Sequence, residues 1–174
     1  MIAYDWLIVV VAFERLAELI VSQRHVTWAL AHGGVETGKR HYPPMVALHT
    51  GLLIACLVEV QVADRPFLPV LGWTAFALVL VSQALRWWCI TTLGNLWNTR
   101  VIVVPGVALV ARGPYRWLRH PNYVAVAVEG AALPLVHTAW VTALAFTVLN
   151  AILLLGFRIP TEERALRSVS VAPA

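Results

Sequence analysis

Five long apolar runs alternate with polar connections along this chain. The runs cover residues 4–23, 44–63, 68–90, 121–137 and 139–157. A helix needs about 20 consecutive, mostly apolar residues to cross the hydrocarbon core of a bilayer. The pattern therefore predicts an all-α integral membrane bundle of about five transmembrane helices, followed by a short C-terminal helix. The fourth run is short and ends near Pro134, so we expect its helix to be tilted, broken or partly inserted.

Composition supports the membrane class. Of the 174 residues, 60% are hydrophobic and only 13% are charged, whereas soluble domains carry about a quarter charged residues. No change of composition separates two parts, so we expect residues 1–174 to form one domain. The two cysteines, Cys56 and Cys89, both lie inside apolar runs and have no ligand-like spacing. Neither a metal site nor a disulfide is predicted.

Basic residues are distributed unequally between the connections. Most of them follow the first, third and fifth runs, whereas the two other connections carry only Arg65, beside Asp64. Cytoplasmic loops of membrane proteins carry the excess of lysine and arginine. The distribution predicts an N-terminus outside the cytoplasm, with the C-terminus and the two long loops inside it. It also accounts for the net charge of +4, so no nucleic-acid partner is predicted.

Several charged residues lie inside the apolar runs. Glu14, Arg15 and Glu18 fall within one turn of each other in the first run, and Arg15 can reach Glu18 at the i,i+3 spacing. Ionisable groups at membrane depth are costly, so they normally face the bundle interior and pair with one another. We expect an interhelical network from these three residues. For Glu129, in the fourth run, a structural role and contact with a substrate both stay open.

The stretch GPYRWLRHPNYVAVAVEG combines a turn, a basic connector and a helix start. Pro121 suits the first turn of a helix, and it keeps His120 before it out of the α conformation. The first N–H groups of a helix favour anions, and Arg119 and His120 add donors at the same place. A ligand with an anionic end here and a polar or cationic part towards Glu129 would fit. A basic interfacial loop before an ordinary helix would show the same features.

Two further polar blocks are predicted on the same side of the membrane. In FRIPTEERAL, Pro160 restarts a helix whose first turn carries Glu162 and Glu163. Adjacent carboxylates suit ribose hydroxyls or an ammonium group, although a plain capped tail helix would also place them there. In GGVETGKRHYPPMVALHT, His41 and His49 could orient a substrate or have structural roles alone.

Together these blocks resemble the isoprenylcysteine carboxyl methyltransferase family of integral membrane enzymes. The strings GPYRWLRHPNY and RIPTEERAL, with Glu129 between them, match that family's Arg-His-Pro-x-Tyr and Glu-Glu signature. The upstream blocks RLAELIVSQRH, GGVETGKRHYPPMVALHT and LRWWCITTLGNLWNTRVIVVPG are similar to a bacterial branch. Members of that branch are associated with type III polyketide synthases and methylate alkylpyrone or alkylresorcinol hydroxyls. His25 departs from the branch, in which asparagine is favoured at this place.

The resemblance implies S-adenosylmethionine as cofactor, bound between the loop before the fourth helix and the C-terminal helix. The cofactor-binding residues that it implies are Arg119, His120, Pro121, Tyr123, Glu162 and Glu163. Arg158 lies where the family has an arginine near the reacting carboxylate, and Arg100 is a second candidate, so these two are the predicted catalytic residues. The candidates for the substrate side are Trp97, Glu129, His41 and His49.

The predicted activity is methyl transfer to a carboxylate, enol or phenol oxygen of a lipophilic substrate in the bacterial plasma membrane. Two alternatives stay open from the sequence. Membrane sterol reductases that use NADPH carry a string similar to Arg-His-Pro-Asn-Tyr, although the adjacent carboxylates of Glu162 and Glu163 would repel a 2′-phosphate. A non-enzymatic membrane protein could have buried charges that only hold it together, but the gathering of polar loops on one side would then have no explanation.

Overall fold

The computed structural model describes residues 2–170, with side chains from residue 3 to residue 168. Most of this part is helical. The α-helices are α1 (Ile2–Ala31), α2 (Tyr42–Val62), α3 (Pro69–Leu93), α4 (Pro121–Leu135), α5 (Trp140–Leu153) and α6 (Ile159–Ser170). Short 3-10 helices cover Lys39–His41, Gly94–Leu96 and Gly113–Arg116, and a π-helix covers Leu154–Arg158. Two strands, β1 (Val35–Thr37) and β2 (Val101–Val103), complete the elements.

Three helical stretches are long and apolar enough to cross a membrane. They are Lys39–Val62, Pro69–Leu96 and Trp140–Ser168. The structure therefore supports the prediction of a helical membrane protein, but five crossings are not established. In α1 the charges of Glu14, Arg15 and Glu18 interrupt the apolar run, and α4 has only 15 residues.

The bundle has two unlike ends. At one, which we call the turn end, short turns join α2 to α3 and α4 to α5, and Thr138 Oγ1 donates a hydrogen bond of 2.7 Å to the carbonyl of Pro66. Glu59, near the end of α2, accepts the N–H groups of Val141 and Thr142 at 3.2 and 2.7 Å. These two bonds satisfy free donors in the first turn of α5. The other end, which we call the loop end, holds the two long connections and α6.

The core lies between α1, α2, α3 and α4. Its contributors recur one helical turn apart, as a buried stripe requires: Tyr4, Ile8 and Val11 on α1, Leu52, Cys56 and Val60 on α2, Ala75 and Val79 on α3, and Leu133 on α4. The Tyr4 hydroxyl donates to the carbonyl of Leu133 at 3.1 Å. Helices α4 and α5 approach so closely that a Cβ added at Gly130 would overlap the Phe146 ring.

The structure differs from the sequence predictions in two elements at the loop end. Strands β1 and β2 pair antiparallel, Val35 opposite Val103, so the protein is not purely α. Three-residue strands are too short to show a two-residue period in the sequence. Pro160 does not restart a helix either, because the π-helix runs directly into α6 and the proline occupies its second position. Its missing N–H falls in the widened turn, where the regular bonding is already interrupted.

Candidate active site

The first group of candidate residues lies where α4 begins. His120 has non-helical dihedral angles, φ −130° and ψ 58°, and Pro121 after it is the first residue of the helix. The His120 carbonyl accepts the N–H groups of Tyr123 and Val124 at 3.1 and 3.3 Å. The imidazole stacks on the Tyr123 ring with 5.5 Å between the ring centroids. Local sequence therefore places both side chains side by side at the helix start.

The two carboxylates of α6 meet this helix start. His120 Nδ1 lies 3.6 Å from Glu162 Oε1, and His120 Nε2 lies 3.5 Å from Glu163 Oε1. These are ion-pair distances, slightly longer than a hydrogen bond. The Tyr123 hydroxyl donates a hydrogen bond to Glu162 Oε2. The loop before α4 and the C-terminal helix, which the sequence predicted as the two walls of one site, are in direct contact.

The carboxylates change the charge of His120. Glu162, at 3.6 Å, raises the pKa of the His120 imidazole above its ordinary value, and Glu163 adds to the rise, while partial burial acts in the opposite direction. The imidazolium form is therefore favoured over a wider pH range than in a free histidine. The site presents one cationic ring between two anionic groups.

Arg158 contacts this cluster through the Tyr123 hydroxyl. Its side chain is buried, Nε donates to the Tyr123 hydroxyl at 3.1 Å, and Nη2 donates to the carbonyl of Thr99. Thr99 is in turn held by Ser22 on α1, whose Oγ lies 2.8 Å from the Thr99 nitrogen and 2.9 Å from Oγ1. Arg158 thus connects α4 to the α3–α4 loop, and through that loop to α1.

The remaining predicted residues at the loop end are spread around this cluster. Arg119 is exposed to solvent. Arg100 lies 3.5 Å from a Glu36 oxygen, with its guanidinium carbon 5.2 Å from the centre of the Tyr42 ring. Both contacts lie beside the β1–β2 pair, and neither involves the Tyr123 hydroxyl that Arg158 contacts.

His41 is half-buried and Trp97 is buried near the same end. The His41 ring packs against Phe157, next to Arg158 in the chain, with 5.3 Å between centroids. Trp97 is buried, and its carbonyl lies 2.6 Å from Nδ1 of His25. Since a carbonyl only accepts, the His25 nitrogen must carry the proton. His25 therefore has a defined structural partner in the α3–α4 loop.

Six of the twelve buried side-chain polar atoms that lack a hydrogen-bond partner within the described residues lie at this end. They include His120 Nε2, Asn122 Oδ1, Trp97 Nε1 and His41 Nδ1. A buried polar group that lacks a partner costs free energy, and proteins rarely leave one without a reason. A polar ligand that supplies donors and acceptors would satisfy them. The arrangement fits a ligand with hydroxyl, amino and anionic groups.

A second charged cluster lies in the middle of the bundle. Glu129 accepts hydrogen bonds from Arg15 Nη2 at 3.1 Å to each oxygen, from Arg86 Nη2 at 2.6 Å and from Gln83 Nε2 at 3.1 Å. Arg15 Nη1 also donates to Glu18 at 2.6 Å, as the i,i+3 spacing predicted. This cluster joins α1, α3 and α4.

His49 adjoins that second cluster. A cavity of about 20 Å³, room for one water molecule, is lined by His49, Arg15, Arg86 and Glu129 together with apolar side chains. His49 Nδ1 lies 2.8 Å from the carbonyl of Met45, which leaves Nε2 as an acceptor in the neutral ring. The structure therefore places Glu129 and His49 together, but in a different cluster from His120 and Glu162.

Sequence reasoning missed three residues that connect these elements: Ser22, Gln83 and Thr99. Ser22 follows Arg15 and Glu18 at helical spacing, so its place on the same face of α1 could have been noticed. Gln83 lies one turn before Arg86 in an apolar run, a weaker signal of the same kind. Thr99 acts through its backbone carbonyl and gave no signal, since every residue has that group.

Comparison with known proteins gives three matches. Residues 74–168 match the isoprenylcysteine carboxyl methyltransferase (ICMT) family. The chain is 37% identical to the uncharacterized protein YpbQ of Bacillus subtilis (strain 168), over 95% of this chain and 98% of that protein. It is 26% identical to an uncharacterized protein of Haemophilus influenzae, over 87% and 88% of the two chains. The matched residues contain α4, the π-helix and most of α6, and with them the whole first cluster.

Proposed function

The chain belongs to the isoprenylcysteine carboxyl methyltransferase family, and we propose that it is a membrane methyltransferase that uses S-adenosylmethionine. The proposed acceptor is an oxygen of a lipophilic molecule, a carboxylate, enol or phenol. Resemblance to the bacterial branch supports an alkylpyrone or alkylresorcinol as acceptor. The single observation that supports the proposal best is the convergence of His120 and Tyr123 with the two carboxylates of α6.

The residues of this cluster fit the proposed cofactor. S-adenosylmethionine, when bound, supplies a methyl group activated by a sulfonium centre. Glu162 and Glu163 are acceptors for ribose hydroxyls and counter-charges for the sulfonium and ammonium groups. The first N–H group of α4, that of Asn122, and the His120 imidazolium suit the carboxylate end. His120 Nε2, which has an ion pair but no hydrogen bond, and Asn122 Oδ1 mark positions where such a ligand would complete the hydrogen bonds.

We assign the acceptor oxygen to the Arg158 side of the site. A guanidinium has five N–H donors, and Arg158 uses one towards Tyr123 and one towards Thr99. The others can hold an anionic oxygen in one orientation, and a guanidinium stabilises the ionised form of an acidic hydroxyl. Such an acceptor needs little help from a base. The burial of Arg158 keeps water away from the reacting oxygen.

The acceptor is proposed to arrive sideways from the bilayer. An open groove of about 640 Å³ runs along α2, lined by Tyr42, Val46, Thr50, Gly51 and Ile54 among others. It begins at Tyr42, on which Arg100 stacks, so Arg100 and Trp97 are proposed to contact the polar head of the acceptor. His41 belongs to the same side of the site. Glu129 and His49 are proposed to contact the acceptor only through the small cavity deeper in the bundle.

The proposed topology has five crossings, with the loop end in the cytoplasm of a bacterial cell and the N-terminus outside. It rests on the unequal distribution of basic residues and on the antiparallel order of α1 to α5. A cofactor would then reach the site from the cytoplasm and a lipid-tailed acceptor from the membrane. The distance between the two carboxylates and the start of α4 is short enough for one ligand to contact both walls.

Titration of the purified protein with S-adenosylmethionine and, separately, with NADPH tests the proposal. We expect S-adenosylmethionine to bind and NADPH not to bind. The variants His120→Ala and Glu163→Ala should each weaken S-adenosylmethionine binding more than about tenfold, as the loss of a charge-assisted contact requires. Asp64→Asn, which removes a carboxylate at the turn end, is the matched control and should bind as the wild type does.

The outcomes distinguish the three functions that the sequence allows: a methyltransferase, a reductase and a non-enzymatic membrane protein. Binding of NADPH alone would support a reductase, and binding of neither compound would support a protein without catalytic activity. Wild-type affinity in both alanine variants would refute the assignment of the pocket. With binding established, transfer of a labelled methyl group to a bacterial lipid extract, followed by identification of the product, would reveal the acceptor.

A further inference from the structure

Exposed tryptophans lie in two groups, here called belts, one towards each end of the bundle. Trp6, Trp73 and Trp140 lie near the starts of α1, α3 and α5, at the turn end. Trp87 and Trp88 lie towards the other end of α3, and Trp117 is the most exposed of all, at 68%. Tryptophan is enriched at both surfaces of a membrane, where one side of the ring is apolar and the other is wet. The second belt therefore marks the level of the lipid headgroups at the loop end.

The segment before α4 folds back onto this second belt. The rings of Trp117 and Trp88 are 6.0 Å apart. Gly113 has a positive φ of 56°, and a Cβ added there would come within 2.6 Å of Thr92 Oγ1. Trp88 is five residues before the end of α3, about 7.5 Å at the rise of a helix. The 3-10 turn Gly113–Arg116 thus lies against the last turns of α3, at the level of the second belt.

The exposed side chains of this segment are either apolar or basic. Leu109, Trp117 and Leu118 are exposed apolar residues, and Arg112 and Arg116 are exposed basic residues. The guanidinium carbon of Arg116 lies 5.8 Å from the centre of the Trp117 ring. Residues 94–128 contain no aspartate or glutamate. We call these five side chains the arginine–tryptophan patch.

We propose that the arginine–tryptophan patch binds the headgroup of an anionic phospholipid in the leaflet at the loop end. Trp117 and Leu118 would insert among the first acyl carbons, while the two guanidiniums meet the phosphate above them, as long basic side chains do at an interface. A free phosphate ion would leave the apolar side chains in water. The patch lies two residues from His120, so a bound lipid would hold the start of α4 at a constant depth. This inference does not depend on the proposed reaction.

Native mass spectrometry of the full-length protein in a nonionic detergent can test it, with phosphatidylglycerol and phosphatidylcholine as the probes. A basic residue near an anionic surface contributes about fivefold in affinity, so two contribute about 25-fold. We expect the double variant Arg112→Gln/Arg116→Gln to bind phosphatidylglycerol about 25-fold more weakly, with unchanged binding of phosphatidylcholine. The control is Arg24→Gln/Arg40→Gln, which removes the same charge from exposed positions outside the patch.

Equal phosphatidylglycerol affinities in these two double variants would overturn the proposal. Retained phosphatidylcholine binding shows that the patch variant is folded, and Arg112→Lys/Arg116→Lys, which keeps both charges, should retain most of the affinity. Trp117→Ala should also weaken phosphatidylglycerol binding, because the lipid loses its apolar contact. If glycerol phosphate competes as well as the whole lipid, the site binds a free anion and the lipid assignment is wrong.

Discussion

Removal of the Glu129 carboxylate should destabilise the bundle more than any single change at its surface. Glu129 accepts four hydrogen bonds, from Arg15, Gln83 and Arg86, and it is almost completely buried. Together with Glu18 and the less buried Glu14, it opposes the charges of the two arginines. In Glu129→Leu, Arg15 would keep Glu18 and Glu14, whereas Arg86 would lose its 2.6 Å ion pair and keep only the 3.4 Å contact with Glu18.

The size of the effect follows from that lost ion pair. Breaking a buried ion pair by removing one partner costs about 3–5 kcal/mol in soluble proteins. In a membrane the unfolded chain also finds polar partners, so we take the lower end, about 3 kcal/mol. Glu129→Gln keeps the volume and one acceptor oxygen, and it should cost less, about 2 kcal/mol. Removal of both charges in Glu129→Leu/Arg86→Met should be milder than Glu129→Leu alone, because no Arg86 guanidinium is then left with only the longer contact.

Equilibrium unfolding in mixed micelles of a nonionic detergent and SDS, followed by far-ultraviolet circular dichroism, would measure these differences. Asp64→Asn again provides the control, since it alters an exposed carboxylate at the turn end. The reasoning is refuted if Glu129→Leu unfolds within about 1 kcal/mol of the wild type, or if the double variant is less stable than both single variants. Either result would mean that packing alone holds α1, α3 and α4 together.

Three further predictions concern the site and the turn end. The carboxylate neighbours of His120 raise its pKa, so its ion pairs stabilise the protein fully below about pH 6.5 and lose this effect as the pH rises through the raised value. The difference in thermal stability between wild type and His120→Gln should therefore shrink from pH 6 to pH 9. A difference that grows over this range would contradict the assignment. Glu59→Ala should lower the free energy of unfolding by about 1–2 kcal/mol, since it removes the acceptor for two N–H groups at the start of α5; Glu59→Gln, which keeps an acceptor, should lose less. Arg158→Lys should lower methyl transfer to a lipid extract by about tenfold or more, while most of the cofactor affinity remains. The reason is that one ammonium group cannot replace a guanidinium that donates hydrogen bonds in two directions. Unchanged turnover would show that Arg158 has no role in the reaction.

Helix positions were predictable because hydropathy is a local property of the chain. The run 44–63 became α2 (Tyr42–Val62), and the run 68–90 became α3 (Pro69–Leu93). The first run was predicted to end near residue 23, whereas α1 continues to Ala31. The predicted run ended at the polar residues Gln23, Arg24 and His25, although the helix continues through them for two more turns.

Candidate residues at helix starts were also readable from local signals. Pro121 predicted the start of α4, and this start determines the positions of His120 and Tyr123. That Arg15 pairs with Glu18 followed from helical spacing alone. The partners of Glu129 did not follow, because several charged side chains lay in other runs and nothing in one run says which helix will be its neighbour.

From the sequence alone came the membrane class, the helices, the two halves of the signature and the placement of polar loops at one end. Only the tertiary structure decided that Tyr123 and Glu162, 39 residues apart, would share a hydrogen bond, and that Glu129 would join Arg15 and Arg86 instead. The close approach of α4 to α5 at Gly130 and the wide π turn before α6 bring the two halves together. Hydropathy and helix capping are determined by residues close together in the sequence. Contacts between helices depend on how whole helix faces pack against each other, and each face is formed by residues that are distant from its partner in the sequence.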